Sequence, residues 1–250
     1  MSDDESAPFW APSVSVIGLG AAGTETVDSL TTETSATLTT VHGPDEASAI
    51  GSTTADADFL YLTGDVGESG VVDTAETVLD TADGHISFVV EGTTDRPAPI
   101  VEGCDFLLPV DPDAVSALEG RALVASTIAD CFEAMLPPTV WELGHGDILA
   151  TTGRSRIGSL HVQAPGGLRH VLPNRIDVPA PDSVLYFLCN DCLLDRPFVD
   201  RRGMDVSEAF PDAGTLWDQR IHDRYGDPAH AKLIRTVDAD ADRWARLLRP

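Results

Sequence analysis

Val14-Ser15-Val16-Ile17-Gly18-Leu19-Gly20-Ala21-Ala22-Gly23-Thr24-Glu25-Thr26-Val27 decides how the rest of the chain is read. A β-branched apolar run passes directly into Gly-x-Gly-x-x-Gly, and the residues after it suit a helix. This order predicts a buried first strand, a tight turn and a helix whose first N–H groups point at an anion. Glycine lets backbone approach a phosphate where any Cβ would intervene. The same spacing also serves a bare strand-to-helix packing turn, and it does not specify a nucleotide.

Working outward, Val14 to Ile17 reads as the first strand and Ala22 to Leu30 as its helix. Thr37 to Val41, Phe59 to Leu62, Ile86 to Val90 and Phe106 to Val110 read as further strands, with a helix from Val71 to Thr81. Short, continuously apolar strands alternating with helices indicate βαβ units and a parallel sheet covered on both faces. Asp111-Pro112-Asp113 offers a helix start, and Ala122 to Met135 carries an apolar stripe of helical period. Pro137-Pro138 closes that helix, after which glycine and proline rise. Beyond lie expected strands at Ser159 to Val162, Val184 to Leu188 and Lys232 to Val237, and expected helices at Leu216 to Tyr225 and Ala239 to Leu248. The expected fold class is α/β, a Rossmann-like parallel sheet with helices on both faces followed by a smaller α+β C-terminal region. The expected division is a loose acidic N-terminus over 1–12, a nucleotide-binding-type domain over 13–137 and the smaller region over 138–250.

The 250 residues carry 41 acidic and 16 basic side chains, a formal net charge of −25, and Lys232 is the only lysine. Such a surface repels nucleic acid and anionic lipid. The acids are spread along the chain, a composition suited to a very salty cytoplasm, where charges are screened within ~3 Å at 1 M salt. No segment approaches the ~18 apolar residues of a membrane span, and Met1 to Ser6 lacks the basic start of a signal peptide, so a cytoplasmic home is expected. Cys104, Cys131, Cys189 and Cys192 are too few for a disulfide framework at this length. Cys189-Asn190-Asp191-Cys192 reads as a strand end with two buried thiols in preference to a metal or redox site.

A second glycine-rich loop, Gly64-Asp65-Val66-Gly67-Glu68-Ser69-Gly70, also leaves a strand and opens a helix. Two such turns side by side could grip one polyphosphate. In this the chain resembles the tubulin/FtsZ family over roughly residues 12 to 160. Ile17 to Gly23 is similar to that family's first phosphate loop, and Ala57-Asp58-Phe59-Leu60-Tyr61-Leu62-Thr63-Gly64 to the strand entering its glycine/threonine loop. Phe106 to Asp111 resembles the strand ending at the base-binding turn. Ala129-Asp130 sits where the central helix carries an acid that reads guanine, and Glu142-Leu143-Gly144-His145-Gly146-Asp147-Ile148 resembles the loop that reaches the next subunit's GTP site. The resemblance implies that Gly18, Gly20, Ala21, Ala22, Gly23, Gly64, Gly67, Ser69 and Gly70 hold phosphate, that Asp130 faces guanine and that Asp147 assists hydrolysis across a subunit contact. It implies GTP or GDP, admits Mg2+ alongside, and implies association with itself or a related filament-forming protein in cell division or cell shape.

The departures point to weak or absent hydrolysis. Asp65 and Glu68 stand in a loop that the family builds from glycine and threonine, Val110 replaces an asparagine, and Gly144 replaces one of two acids in the polymer-contacting loop. Two other readings use the same residues: a dinucleotide-binding oxidoreductase or sensor, and a nucleotide-free scaffold for protein contacts. The dinucleotide reading lacks its ribose-binding acid, since the second strand ends Thr39-Thr40-Val41-His42. His145 reads either as a functional loop imidazole or as a solvent-facing turn residue, and His161 and His170 read as surface residues. Arg154, Arg156, Arg169 and Arg175 read as neutralising nearby carboxylates in preference to a modest anion- or partner-binding patch.

Overall fold

The computed structural model describes residues 12–30, 36–54, 56–110, 117–135, 143–153, 156–163, 178–221 and 230–250. The expected helix start at Asp111, the Pro137 to Val140 boundary, and Arg154, Arg169, Arg175 and His170 lie outside them. In chain order the elements are β1 (Val14–Leu19), α1 (Gly20–Asp28), β2 (Thr37–Val41), α2 (Pro44–Thr54), β3 (Phe59–Asp65) and α3 (Val71–Leu79). Then come β4 (His85–Glu91), α4 (Ala98–Gly103), β5 (Phe106–Pro109), α5 (Ala117–Glu133), α6 (His145–Thr152) and β6 (Arg156–Gln163). The chain closes with β7 (Ser183–Asn190), α7 (Arg196–Ala209), β8 (Gly214–Ile221), β9 (His230–Asp238) and α8 (Ala241–Leu248).

All strands join one nine-stranded sheet in the order β2-β1-β3-β4-β5-β6-β9-β7-β8. The run from β2 to β6 is parallel, as the alternating pattern requires. β9 then pairs antiparallel with both β6 and β7, and β8 extends the edge parallel to β7. Helices cover both faces. α1, α5 and α6 close one face over Val16, Phe59, Tyr61, Phe132, Ile148, Leu185 and Phe187. α2, α3, α4 and α8 close the other over Ile17, Leu60, Leu62, Val78, Phe88, Ile100 and Trp244. α7 covers the far end of the sheet through Val199 against Tyr186 and Leu188.

The expected helix at Leu216 to Tyr225 is corrected: Gly214–Ile221 is strand β8, paired with β7 from Ser183↔Gly214 to Asn190↔Ile221. Pairing along the full length of β7 outweighs the modest local preference for helix. Three helices carry no apolar period that would announce them. α2 is built from small and polar residues, α4 is only six residues long, and α7 has only Val199 and Gly203 buried.

The topology also fixes where a ligand would enter. From β1 the chain steps to β2 on one side, then returns past β1 to β3 on the other. The crevice outside the carboxyl ends of β1 and β3 is therefore the switch point of the sheet, where open α/β sheets bind ligands.

Candidate functional site

Both glycine turns lie at that crevice, one leaving β1 and one leaving β3. The first turn is compact for a packing reason. A Cβ on Gly18 would lie 2.3 Å from the Gly23 carbonyl oxygen, and a Cβ on Gly23 would lie 2.3 Å from the Thr63 carbonyl oxygen. Gly18 and Gly23 thus let α1 sit directly against β1 and β3. Gly20 has φ +67°, the left-handed conformation that turns the chain into α1. α1 has no acidic residue in its first turn and no side-chain cap from its N-cap residue Leu19, so its N-terminus carries an uncompensated positive dipole end within its own segment.

That dipole end is met by the second turn. The Ala21 N–H donates to the Glu68 carboxylate, at 2.9 Å to Oε1 and 3.2 Å to Oε2. The loop that carries Glu68 is closed on itself. Asp65 accepts the Gly67 N–H at 2.8 Å through Oδ1 and the Glu68 N–H at 3.0 Å through its carbonyl. Val66 N–H donates to the Glu91 carbonyl, and Val71 N–H to the Glu68 carbonyl. Four amides of this loop and the start of α3 are therefore spent within the protein. A Cβ on Gly92 (φ +65°) would lie 1.7 Å from Asp65 Oδ1, so the missing side chain there admits the Asp65 carboxylate. Gly70, also left-handed at φ +83°, is the N-cap of α3, and exposed Ser69 lies beside it. Ala22 is buried under the turn, and Gly64 lies against Leu19 of β1.

The rest of the rim is acidic as well. Arg121 of α5 pairs with Glu25 of α1 and with buried Glu91 at the end of β4, the latter at 3.2 Å. One guanidinium thus ties three elements together and is shared between two carboxylates. A phosphate placed about 4 Å from Glu68 meets a repulsion of about 1 kcal/mol in water and about 4 kcal/mol at an effective dielectric of ~20. The backbone of the first turn suits a phosphate, but the carboxylate bound at Ala21 and the self-bonded second loop do not. A triphosphate does not fit this turn as it stands.

Asp130, expected at a guanine edge, lies in a buried network of charges. Its carboxylate is fully buried, accepting from Lys232 Nζ at 2.6 Å and from the Cys189 thiol at 3.7 Å. Lys232 also donates to Ser126 Oγ at 2.7 Å. Next to this pair, Arg220 bridges Asp218 and Glu133, each at 3.2 Å. The network joins α5 to β7, β8 and β9. Burial, with Asp130 adding to it, pushes the Cys131 thiol up to about 12, and burial likewise raises Cys189. Cys189 is buried but Cys192 is exposed, so the pair is not two buried thiols. Among the described residues no group of three His, Cys, Asp or Glu could hold a metal.

Asp147 lies at the opposite end of the sheet. It is in the first turn of α6, and its Oδ2 accepts the Gly144 N–H at 2.8 Å. The carboxylate caps its own helix. His145, the first residue of α6, lines an open cleft of about 370 Å³ with Asp58, Asp83, His85, Asp105 and Leu149. The strands contribute their amino ends here, through Phe59 and His85. Arg156 pairs with Asp238 at 3.2 Å, as expected of a cation in so acidic a chain, and His161 accepts from Arg235 at 2.9 Å.

The chain matches no protein-family model and no curated protein. Its backbone superposes on an FtsZ W319Y mutant from M. jannaschii with a TM-score of 0.76 and 12% identity, covering 91% of this chain and 92% of that one. The chain has the tubulin/FtsZ fold. CetZ2 from Haloferax volcanii, as a GTPγS-bound protofilament, gives a TM-score of 0.59 and 15% identity over 94% and 96% of the two chains. TubZ of Clostridium botulinum phage c-st gives 0.59 and 8% over 94% and 96%. The FtsZ-type fold therefore spans the C-terminal strands too, beyond the residue 160 at which the motif resemblance fades. The residue that sequence reasoning underused is Glu68. It stood out as a negative charge in a phosphate loop, but its contact with Ala21 links positions 47 residues apart and has no local signature.

Proposed function

We propose that this FtsZ-fold protein works through subunit association and does not turn over GTP, acting in the cytoplasm in cell division or cell shape with copies of itself or a related filament-forming protein. The observation that carries the reading is Asp147. Of the two acidic positions in the loop that resembles the family's polymer-contacting one, Gly144 takes one and only Asp147 remains, its carboxylate bound to the Gly144 N–H at its own helix start. A general base must reach the water it activates, and one held in a cap is poorly placed to do so. The association half of the reading draws support from relatives of this fold, which include an FtsZ dimer from M. jannaschii and the CetZ2 protofilament. Guanine nucleotide is the ligand class those relatives suggest, since CetZ2 holds GTPγS and CetZ1 from Haloferax volcanii holds GDP.

Phosphate release from GTP by the purified protein in molar KCl tests the first half, and the expected rate equals the protein-free background. Turnover well above background that Asp147→Ala abolishes would overturn it. The second half is read from a fluorescent fusion in the native cell. Rings, bands or filaments are expected, and an evenly diffuse signal would count against it.

A further inference from the structure

We propose that Glu68 is a built-in substitute for the nucleotide phosphate, holding the first glycine turn in its folded form and excluding triphosphate from it. The inference rests on the FtsZ-fold reading but not on whether the protein associates or hydrolyses. Three features carry it. First, both carboxylate oxygens of Glu68 face the Ala21 N–H at the start of α1, at 2.9 and 3.2 Å. This is where a helix N-terminus receives an anion. Second, the space over the turn is filled: a Cβ on Gly20 would lie 2.7 Å from Glu68 Oε2 and 2.8 Å from a Val71 methyl. Gly20 here admits the protein's own carboxylate. Third, the loop that delivers Glu68 is set by internal bonds. Asp65 binds the amides of Gly67 and Glu68, Val66 N–H binds the Glu91 carbonyl, and the Glu68 carbonyl takes the Val71 N–H at the mouth of α3.

In a loop that grips phosphate with its backbone, those N–H groups would point into the crevice. In this chain they are turned into the protein, and one carboxylate supplies the charge they would have received. Glu25, Asp65 and Glu91 stand around the same rim with Arg121 shared between two of them, so a second anion would enter against net negative charge. The turn is thus complete without nucleotide, and Glu68 is its specificity-determining residue.

The test compares wild type, Glu68→Ala and Glu68→Gln in molar KCl, by thermal unfolding with and without millimolar GTP or inorganic pyrophosphate. Wild type should show no shift with either ligand. Glu68→Ala should melt lower by about 2–4 °C without ligand, and pyrophosphate or GTP should recover that loss. If Glu68→Ala does not fold, Glu68→Gln keeps the shape of the side chain and removes the charge. In Glu68→Gln the Ala21 amide resonance should move, and pyrophosphate should move it back towards its wild-type position. Stabilisation of wild type by GTP or pyrophosphate as large as that of the variants would overturn the proposal. So would variants that melt like wild type and ignore both ligands, or that lose stability without responding to either. A wild type that binds GTP without hydrolysing it would sink this inference and leave the proposed function standing.

Discussion

At the scale of single residues, the buried charges between α5 and the C-terminal strands set the sharpest expectations. Asp130 and Lys232 are both fully buried and bound to each other. Removing one partner of such a pair strands the other charge in a medium that solvates it poorly, typically at about 3–5 kcal/mol. Lys232→Met should lose stability of that order in urea unfolding, and adding Asp130→Leu should recover most of it. If Asp130 served a guanine base instead, the single substitution at Lys232 would be mild. Asp218 gives a pH signature. Burial raises its pKa above the ordinary carboxylate value, against the opposing pull of Arg220. A carboxyl whose folded pKa is raised binds its proton more tightly in the native state. Its stabilising contribution is therefore present below the unfolded pKa, near ~4, and is lost as pH rises through the native value. Asp218→Asn should gain stability relative to wild type over that rise, measured as the difference between their urea midpoints at a series of pH values. A constant difference would contradict the assignment.

At the scale of elements, legibility followed the range of the forces involved. β1, β3, β4 and β5 were readable because a strand covered on both faces must be apolar along its whole length. The glycine turn was readable because close backbone contact demands a missing Cβ at fixed spacing. β8 was not, because Leu216, Trp217 and Ile221 suit either state locally and only the partner strand β7 decides between them. α2 and α7 escaped because helices with little buried surface carry no stripe. At the site, the sequence located the crevice and the wrong-signed charge of Glu68. It could not show that Asp65 folds the loop so as to aim that charge at Ala21, since that geometry arises from contacts among β3, β4 and α1. The glycines now separate by role. Gly18 and Gly23 serve packing, so Gly23→Ala should force α1 away from β3 and cost about 1–3 kcal/mol. Chemical unfolding checks this, and the loss should be the same with or without added GTP.

At the scale of the whole molecule, one sheet runs unbroken from β2 to β8, and α5 lies against both its parallel part and its antiparallel extension. The two ends of the parallel strands carry different devices: a closed, self-neutralised glycine turn at the carboxyl ends, and a helix cap with an acidic cleft at the amino ends. With a net charge of −25, the approach of any second negatively charged molecule is opposed to a degree set by salt, which at 1 M confines each charge to ~3 Å and at 0.1 M lets it reach ~10 Å. The placement of Lys232 has a further consequence. The chain's single lysine is fully buried, so the folded surface presents no ε-amine to acetylating enzymes, conjugating machinery or amine-directed crosslinkers. The group becomes accessible only when α5 parts from β9, which makes a lysine adduct on this protein a record of unfolding.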